Sequence, residues 1–261
     1  MKTSGERLSL YHQSYGSGPP FIILHGMLGA SGNWHTLSRT VFGDHLTTYT
    51  VDQRNHGRSP HSDRFSYPAM AEDLWVFLQE HDLTSTHLMG HSMGGKTAMY
   101  AALAFPQRID RLVIADMAPK AYPPNHTYIF EALQAVNPSN YDRREDIDAA
   151  LADAIPSRPV RQFLLKNLDY DGERYAWKMN LDAIHANYDQ ITKGLDTERT
   201  FEGPTLFVAG TNSDYVSERD LPQIRKNFPQ AELVQIEGAG HWVHADAPSA
   251  FGKTVVDFLT G

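Results

Sequence analysis

The stretch Leu88-Met89-Gly90-His91-Ser92-Met93-Gly94-Gly95-Lys96-Thr97 carries residue types at a spacing that could do chemistry. An apolar run ends at a glycine-flanked serine and passes straight into Ala98-Met99-Tyr100-Ala101-Ala102-Leu103, the pattern of a buried strand turning sharply into a helix. Gly90, Ser92 and Gly94 fit G-x-S-x-G, in which the glycines permit a turn tight enough to expose a serine hydroxyl at a helix N-terminus. Ser92 is therefore a candidate nucleophile. The same letters fit G-x-x-x-x-G-K-[ST] through Gly90, Gly95, Lys96 and Thr97, a loop whose amides cradle phosphates. Asp116, closing the next apolar run at 112–116, serves either chemistry, as a triad acid or as a magnesium-side carboxylate of an NTPase.

The rest of the chain separates the two. A serine nucleophile needs a base within hydrogen-bond reach, and the base needs a carboxylate to hold its tautomer and stabilise the imidazolium. Ser92, Asp116 and His241 supply these in chain order, each just past the expected end of a parallel strand. The loop His25-Gly26-Met27-Leu28-Gly29 follows another apolar run and can aim the Met27 N–H at a developing oxyanion, with the Met93 N–H as the second donor. The phosphate-loop reading leaves the His-Gly loop and the glycine-rich turn around His241 without roles, so a hydrolase is the favoured reading. His25 reads as a turn residue rather than a proton shuttle, and His91 as a strand-end hydrogen-bonding residue. In Asp52-Gln53-Arg54-Asn55-His56-Gly57-Arg58-Ser59, Arg54 or Arg58 could recognise a substrate anion, but a hydrogen-bonded turn supporting the His-Gly loop is favoured. Neither His241 with His244 nor His56 with His61 has the carboxylate of an H-E-x-x-H pattern, so no metal is expected, and the serine chemistry calls for no cofactor.

These loops need a scaffold. Residues 8–15 alternate as a half-exposed strand does, and the break at 16–20 predicts an edge hairpin with 21–24. Helical spacing over 34–42 and 67–79 alternates with strand-like runs at 46–51, 86–89 and 112–116, the order of a parallel sheet with helices on both faces. After Asp116 about eighty residues pass before the next buried run at 205–209, too many for a connecting loop. They carry helix-spaced apolar residues, so residues 119–203 are expected to form an inserted helical cap on a core made of 1–118 and 204–261. A strand at 233–236 and a helix at 250–259 close the chain.

Composition narrows the function classes. Lys and Arg total 23 against 31 Asp and Glu, a formal charge of −8, which argues against nucleic acid or an anionic membrane as a general partner. With no cysteine, thiol nucleophiles, disulfides and thiolate metal sites are excluded. No apolar run approaches a bilayer span, and Met1-Lys2-Thr3-Ser4-Gly5-Glu6-Arg7 shows no signal-type region, so a cytoplasmic setting is expected. Oligomeric state is not legible.

With these motifs in this order, the chain resembles the α/β-hydrolase superfamily over nearly its whole length. The combination of the His-Gly loop, Arg54-Asn55-His56-Gly57-Arg58-Ser59, the Ser92 elbow, Asp116-Met117-Ala118-Pro119 and Gly210-Thr211-Asn212-Ser213 resembles the YbfF-type bacterial esterases. The resemblance implies an α/β-hydrolase fold, a small-molecule ester substrate, and acyl-CoA thioesters as a further substrate class; cleavage of a C–C bond beside a ketone is the rival within such a site. Many superfamily members carry the triad acid where this chain has Ser213, with Asp214 one position on. The YbfF-type arrangement implies Asp116 as the acid and Ser213 as support for the histidine, and Asp214 is the alternative.

Overall fold

The computed structural model describes residues 6–261. The N-terminal stretch Met1–Gly5, part of the segment read for a leader, lies outside the described residues. Strands β1 (His12–Tyr15), β2 (Pro20–Leu24), β3 (Thr47–Val51), β4 (Thr86–His91) and β5 (Ile109–Ala115) are followed by β6 (Leu168–Tyr170), β7 (Tyr175–Trp177), β8 (Thr205–Gly210) and β9 (Ala231–Ile236). Seven of these form one sheet in the order β1-β3-β2-β4-β5-β8-β9, parallel throughout except for β1.

The central strands carry continuous apolar runs, Phe21–Leu24, Leu88–Met89, Leu112–Ala115 and Leu206–Ala209, because both of their faces are covered there. Side chains alternate across the sheet, so Ile22, Leu24, Leu88, Leu112, Ile114 and Phe207 join one core cluster while Phe21, Ile23, Met89, Val113, Leu206 and Val208 join the other. Helices α1 (His35–Thr40), α2 (Tyr67–Glu80) and α3 (Met93–Ala104) flank the first half of the sheet. Leu74 and Phe77 of α2 and Ala98, Met99 and Ala102 of α3 pack on the first face, Leu37 of α1 on the second.

Between β5 and β8 the chain leaves the main sheet. It forms α4 (Thr127–Ala135), α5 (Arg144–Leu151), α6 (Arg158–Leu164), α7 (Leu181–Ala186) and α8 (Tyr188–Thr192). Their apolar residues, among them Ile129, Leu133, Ile147, Leu151 and Ile184, share a cluster with Leu28 of the loop after β2, Tyr67 and Met70 of α2, and Met93 of α3. Helices α9 (Leu221–Asn227), α10 (Val243–Asp246) and α11 (Pro248–Thr260) complete the chain, and Phe251, Val255 and Leu259 of α11 cover the second face.

Three expectations change. The N-terminal strand starts at His12 and pairs antiparallel with β3, Gln13 opposite Thr50, rather than forming a hairpin with β2. Leu8 and Leu10 are buried in the first cluster but join no ladder. The 34–42 helix shortens to α1, with single 3-10 turns at Ser31–Trp34 and Phe42–Asp44. The intervening segment is not purely helical, because Asp171-Gly172, with Gly172 at φ +102°, turns a small β6–β7 hairpin. Among the described residues no helix is long and apolar enough to cross a membrane.

Candidate active site

In this strand order β2 connects outward to β3 on one side and β4 to β5 on the other, so the loops after β2 and β4 splay apart and leave a crevice at the sheet's C-terminal edge. Ser92 stands in that crevice between β4 and α3, with φ +53° and ψ −118°. Such a backbone is rare for a residue with a side chain and is held by packing around it. A Cβ on Gly90 would strike the carbonyl of Gly94, and one on Gly94 would strike the carbonyls of Leu24 and His25. Both elbow glycines are thus required by close approach of backbone to backbone.

His241 brings Nδ1 to 2.7 Å from Asp116 Oδ2 and Nε2 to 3.1 Å from Ser92 Oγ. A carboxylate at Nδ1 requires the proton there, which leaves Nε2 free to accept from the serine hydroxyl. Asp116 is fully buried, sits at φ +49°, and accepts from the Gly210 amide on Oδ1 at 3.3 Å. The Ser213 hydroxyl donates to its Oδ2, the oxygen that faces His241. Asp214 is exposed and lines the cavity wall; among the described residues its carboxylate makes no bond to His241.

The His-Gly loop is braced from below. A Cβ on Gly26 would lie 2.9 Å from His91 Nδ1 and 3.3 Å from Ser92 Cβ, so the missing side chain lets this loop lie against the elbow. His25 Nε2 accepts from the Gln53 amide at 3.0 Å and Nδ1 faces its neighbour's carbonyl, Gly26 O, at 2.8 Å. His56 repeats the pattern, accepting from the Leu28 amide at 3.1 Å with Nδ1 2.9 Å from Arg54 O. Burial holds both rings neutral, His56 with a pKa lowered to about 3. Asp52 receives the Ser31 amide at 2.6 Å and the Arg58 amide at 2.9 Å. Arg54, wholly buried, makes a two-pronged ion pair with Asp73 at 2.5 and 2.7 Å. The Arg54–Ser59 loop is therefore scaffolding under the His-Gly loop, as favoured from the sequence, and Arg54 is not open to a substrate anion.

Lys96 occupies an unexpected position. It is 1 % exposed, with Nζ donating to Lys193 O at 2.5 Å and sitting over the rings of Tyr122 and Tyr67 at 4.8 and 5.7 Å. Burial lowers its pKa from 10.5 to about 7. An amine tied to the intervening segment in this way is not presented to a nucleotide, so the phosphate-loop reading of residues 90–97 loses its lysine.

Two cavities meet at Ser92. One, of about 320 Å³, is walled by Tyr67, Lys96, Tyr122 and Ile191; the other, of about 290 Å³, by Ile129, Val160, Phe163 and Trp242. Met27, Ser92, His126 and Tyr215 line both.

The model of the alpha/beta hydrolase fold family matches residues 19–248. The chain belongs to this family. It is 38% identical over 251 residues to a zebrafish (Danio rerio) protein named sn-1-specific diacylglycerol lipase, covering 94% of this chain and 79% of that one. It is 37% identical to esterase YbfF of Escherichia coli over 95% of both chains. The solved structure titled "Marine microorganism esterase" superposes with a TM-score of 0.93 at 41% identity, over 96% of this chain and 99% of that one. The chain is thus an α/β hydrolase with esterase- and lipase-named relatives.

Several residues around this hydrolase's crevice had escaped the sequence reading. Tyr122, His126 and Tyr188 come from the intervening segment: Tyr188 sits at helical spacing and looks like ordinary packing, while Tyr122 and His126 lie in the proline-containing stretch before α4, which shows no period. Tyr215 follows Ser213 by two positions, and only that proximity hints at its place. Among the described residues no group of three His, Asp or Glu could hold a metal ion; His244 instead stacks on Trp34 at 4.2 Å.

Proposed function

We propose that this hydrolase cleaves carboxylic esters of small to medium or fatty acyl groups through an acyl-enzyme on Ser92. The observation that carries the reading is the single hydrogen-bonded line from Asp116 through His241 to Ser92, ending at a hydroxyl between the two cavities. Ser92 Oγ attacks the acyl carbonyl as its proton passes to His241 Nε2. Asp116 stabilises the imidazolium without taking the proton, and Ser213 holds the Asp116 carboxylate. The carbonyl oxygen becomes an oxyanion facing the Met27 and Met93 amides. On collapse the leaving group takes the proton from Nε2 and departs. Water then enters, gives a proton to Nε2, and hydrolyses the acyl-serine by the same path in reverse.

Residues 119–203 act as a cap on the core formed by 1–118 and 204–261, with one cavity for the acyl group and one for the alcohol. Acyl-CoA thioesters are the second substrate class, since the same attack expels a thiolate. A panel of chromogenic esters from acetyl to palmitoyl, matching acyl-CoA thioesters and a dienol-ketone tests the assignment. Turnover of esters that disappears in Ser92→Ala is the expected result. Turnover of the ketone alone, with every ester inert, contradicts it in favour of C–C cleavage.

A further inference from the structure

His241 is carried on a loop, Gly238–Trp242, and its side chain is 26 % exposed. Hydrogen bonds at Nδ1 and Nε2 fix the ring at two atoms in its plane and put nothing against its faces, so they resist its rocking only weakly. Something must oppose that motion. The Tyr215 ring lies against the imidazole with centroids 3.8 Å apart and planes 19° from parallel. The His91 ring also lies near, with centroids 4.8 Å apart and planes 41° from parallel, and its Nε2 is 2.8 Å from His241 O.

Tyr215 is itself fixed at three points. Its amide donates to Ser213 Oγ at 3.3 Å, its carbonyl accepts from Tyr122 Oη at 2.7 Å, and its ring stacks on Tyr122 at 5.2 Å. The same Ser213 hydroxyl donates to Asp116, so the stack and the carboxylate are set by one short segment.

We propose that Tyr215 is a positioning residue for His241, one that holds the imidazole plane and offers its negative ring face to the imidazolium formed during attack. This rests on the proposed role of His241 as base. An aromatic face attracts a cation held over it, whereas it gains little from the neutral ring, so the stack favours the transition state over the resting state. The other titratable groups facing His241 do not compete as cations. Burial keeps His91 and His244 neutral, His244 with a pKa lowered to about 3, and lowers that of His126. Burial also raises the Tyr215 phenol to about 12, so the ring acts as a neutral phenol.

The test uses Tyr215→Phe, Tyr215→Leu, and a series of increasingly fluorinated phenylalanines at 215, which keep the ring's shape while draining its negative face. Each is assayed for kcat, KM and the pH dependence of kcat/KM on a chromogenic ester. Tyr215→Phe should retain most activity. Tyr215→Leu should lose roughly threefold to thirtyfold, mainly in kcat. The acid limb of its profile should move to lower pH, and activity should fall stepwise with fluorination. A loss confined to KM, an unmoved acid limb with a flat fluorination series, or a Phe variant as impaired as Leu overturns the proposal. Should Tyr215→Leu fail to fold, the fluorinated series decides alone. An inert wild type would instead indict the base assignment, so the two failures are distinguishable.

Discussion

Asp116→Asn should lower kcat/KM for a short chromogenic ester by about 10⁴-fold. The amide keeps the shape of the buried side chain and can still receive the Gly210 amide at 3.3 Å. Its NH₂ group, however, cannot accept the Nδ1 proton of His241, so the ring is driven to the other tautomer and Nε2 carries a proton where a lone pair is needed. Asp214→Asn, at an exposed position without a bond to His241, should change kcat/KM by less than about twofold, the scale of an ordinary surface substitution. Steady-state kinetics on the two variants therefore decides which aspartate is the acid. The reverse pattern, a large loss at 214 and a small one at 116, would exchange the roles.

The largest stability effect is expected at the buried Arg54–Asp73 pair. Arg54→Met leaves Asp73, only 1 % exposed, without its two-pronged partner, and removes the hydrogen bond to Arg64 O. Breaking a buried pair from one side costs about 3–5 kcal/mol, because the remaining charge keeps its desolvation cost and loses its compensation. For a chain of this length that corresponds to a Tm lower by roughly 6–20 °C. The loss should depend on pH in a defined direction. Burial already raises the Asp73 carboxyl to about 6 against the pull of Arg54, and without Arg54 it moves higher still. A carboxyl whose folded pKa exceeds its unfolded value binds a proton on folding, so stability recovers as pH falls through the folded pKa. Thermal unfolding at pH 8 and pH 5 should show the gap between wild type and variant narrowing at the lower pH. A gap that widens there, or a Tm within two degrees of wild type at both, contradicts this account of the Arg54–Asp73 pair.

Much of the architecture was legible because parallel strands covered on both faces are apolar over most of their length. Runs such as Phe21-Ile22-Ile23-Leu24 and Leu112-Val113-Ile114 therefore stand out, and the glycine-bounded serine between strand and helix has few other physical readings. The partner of the first strand was not legible. Alternation shows which face of residues 12–15 is buried but not which neighbour carries the ladder, and the break at Gly16 and Gly18 suits a crossing to β3 as well as a hairpin. The β6–β7 hairpin was hidden for a related reason, since strands of three residues are too short for a period to register.

Within the site, Ser92 and Asp116 could be named because each ends a recognisable run, and His241 because it stands in the glycine-rich turn that follows one. Their environment could not. Lys96 falls in the first turn of α3, where lysine is usually solvated, and its burial depends on the Thr192–Lys193 carbonyls and two tyrosines brought from distant segments. Tyr215 acquires its place against His241 only through the fold, since 26 residues separate the two in sequence.

The central claim is that Ser92 is an activated nucleophile. Intact-mass analysis after exposure to a fluorophosphonate probe tests it most directly, run in parallel on wild type, Ser92→Ala and Lys96→Ala. A single adduct on wild type and Lys96→Ala, with none on Ser92→Ala, is the predicted result. Folded wild-type protein that remains unlabelled, or an adduct that persists in Ser92→Ala, would contradict it.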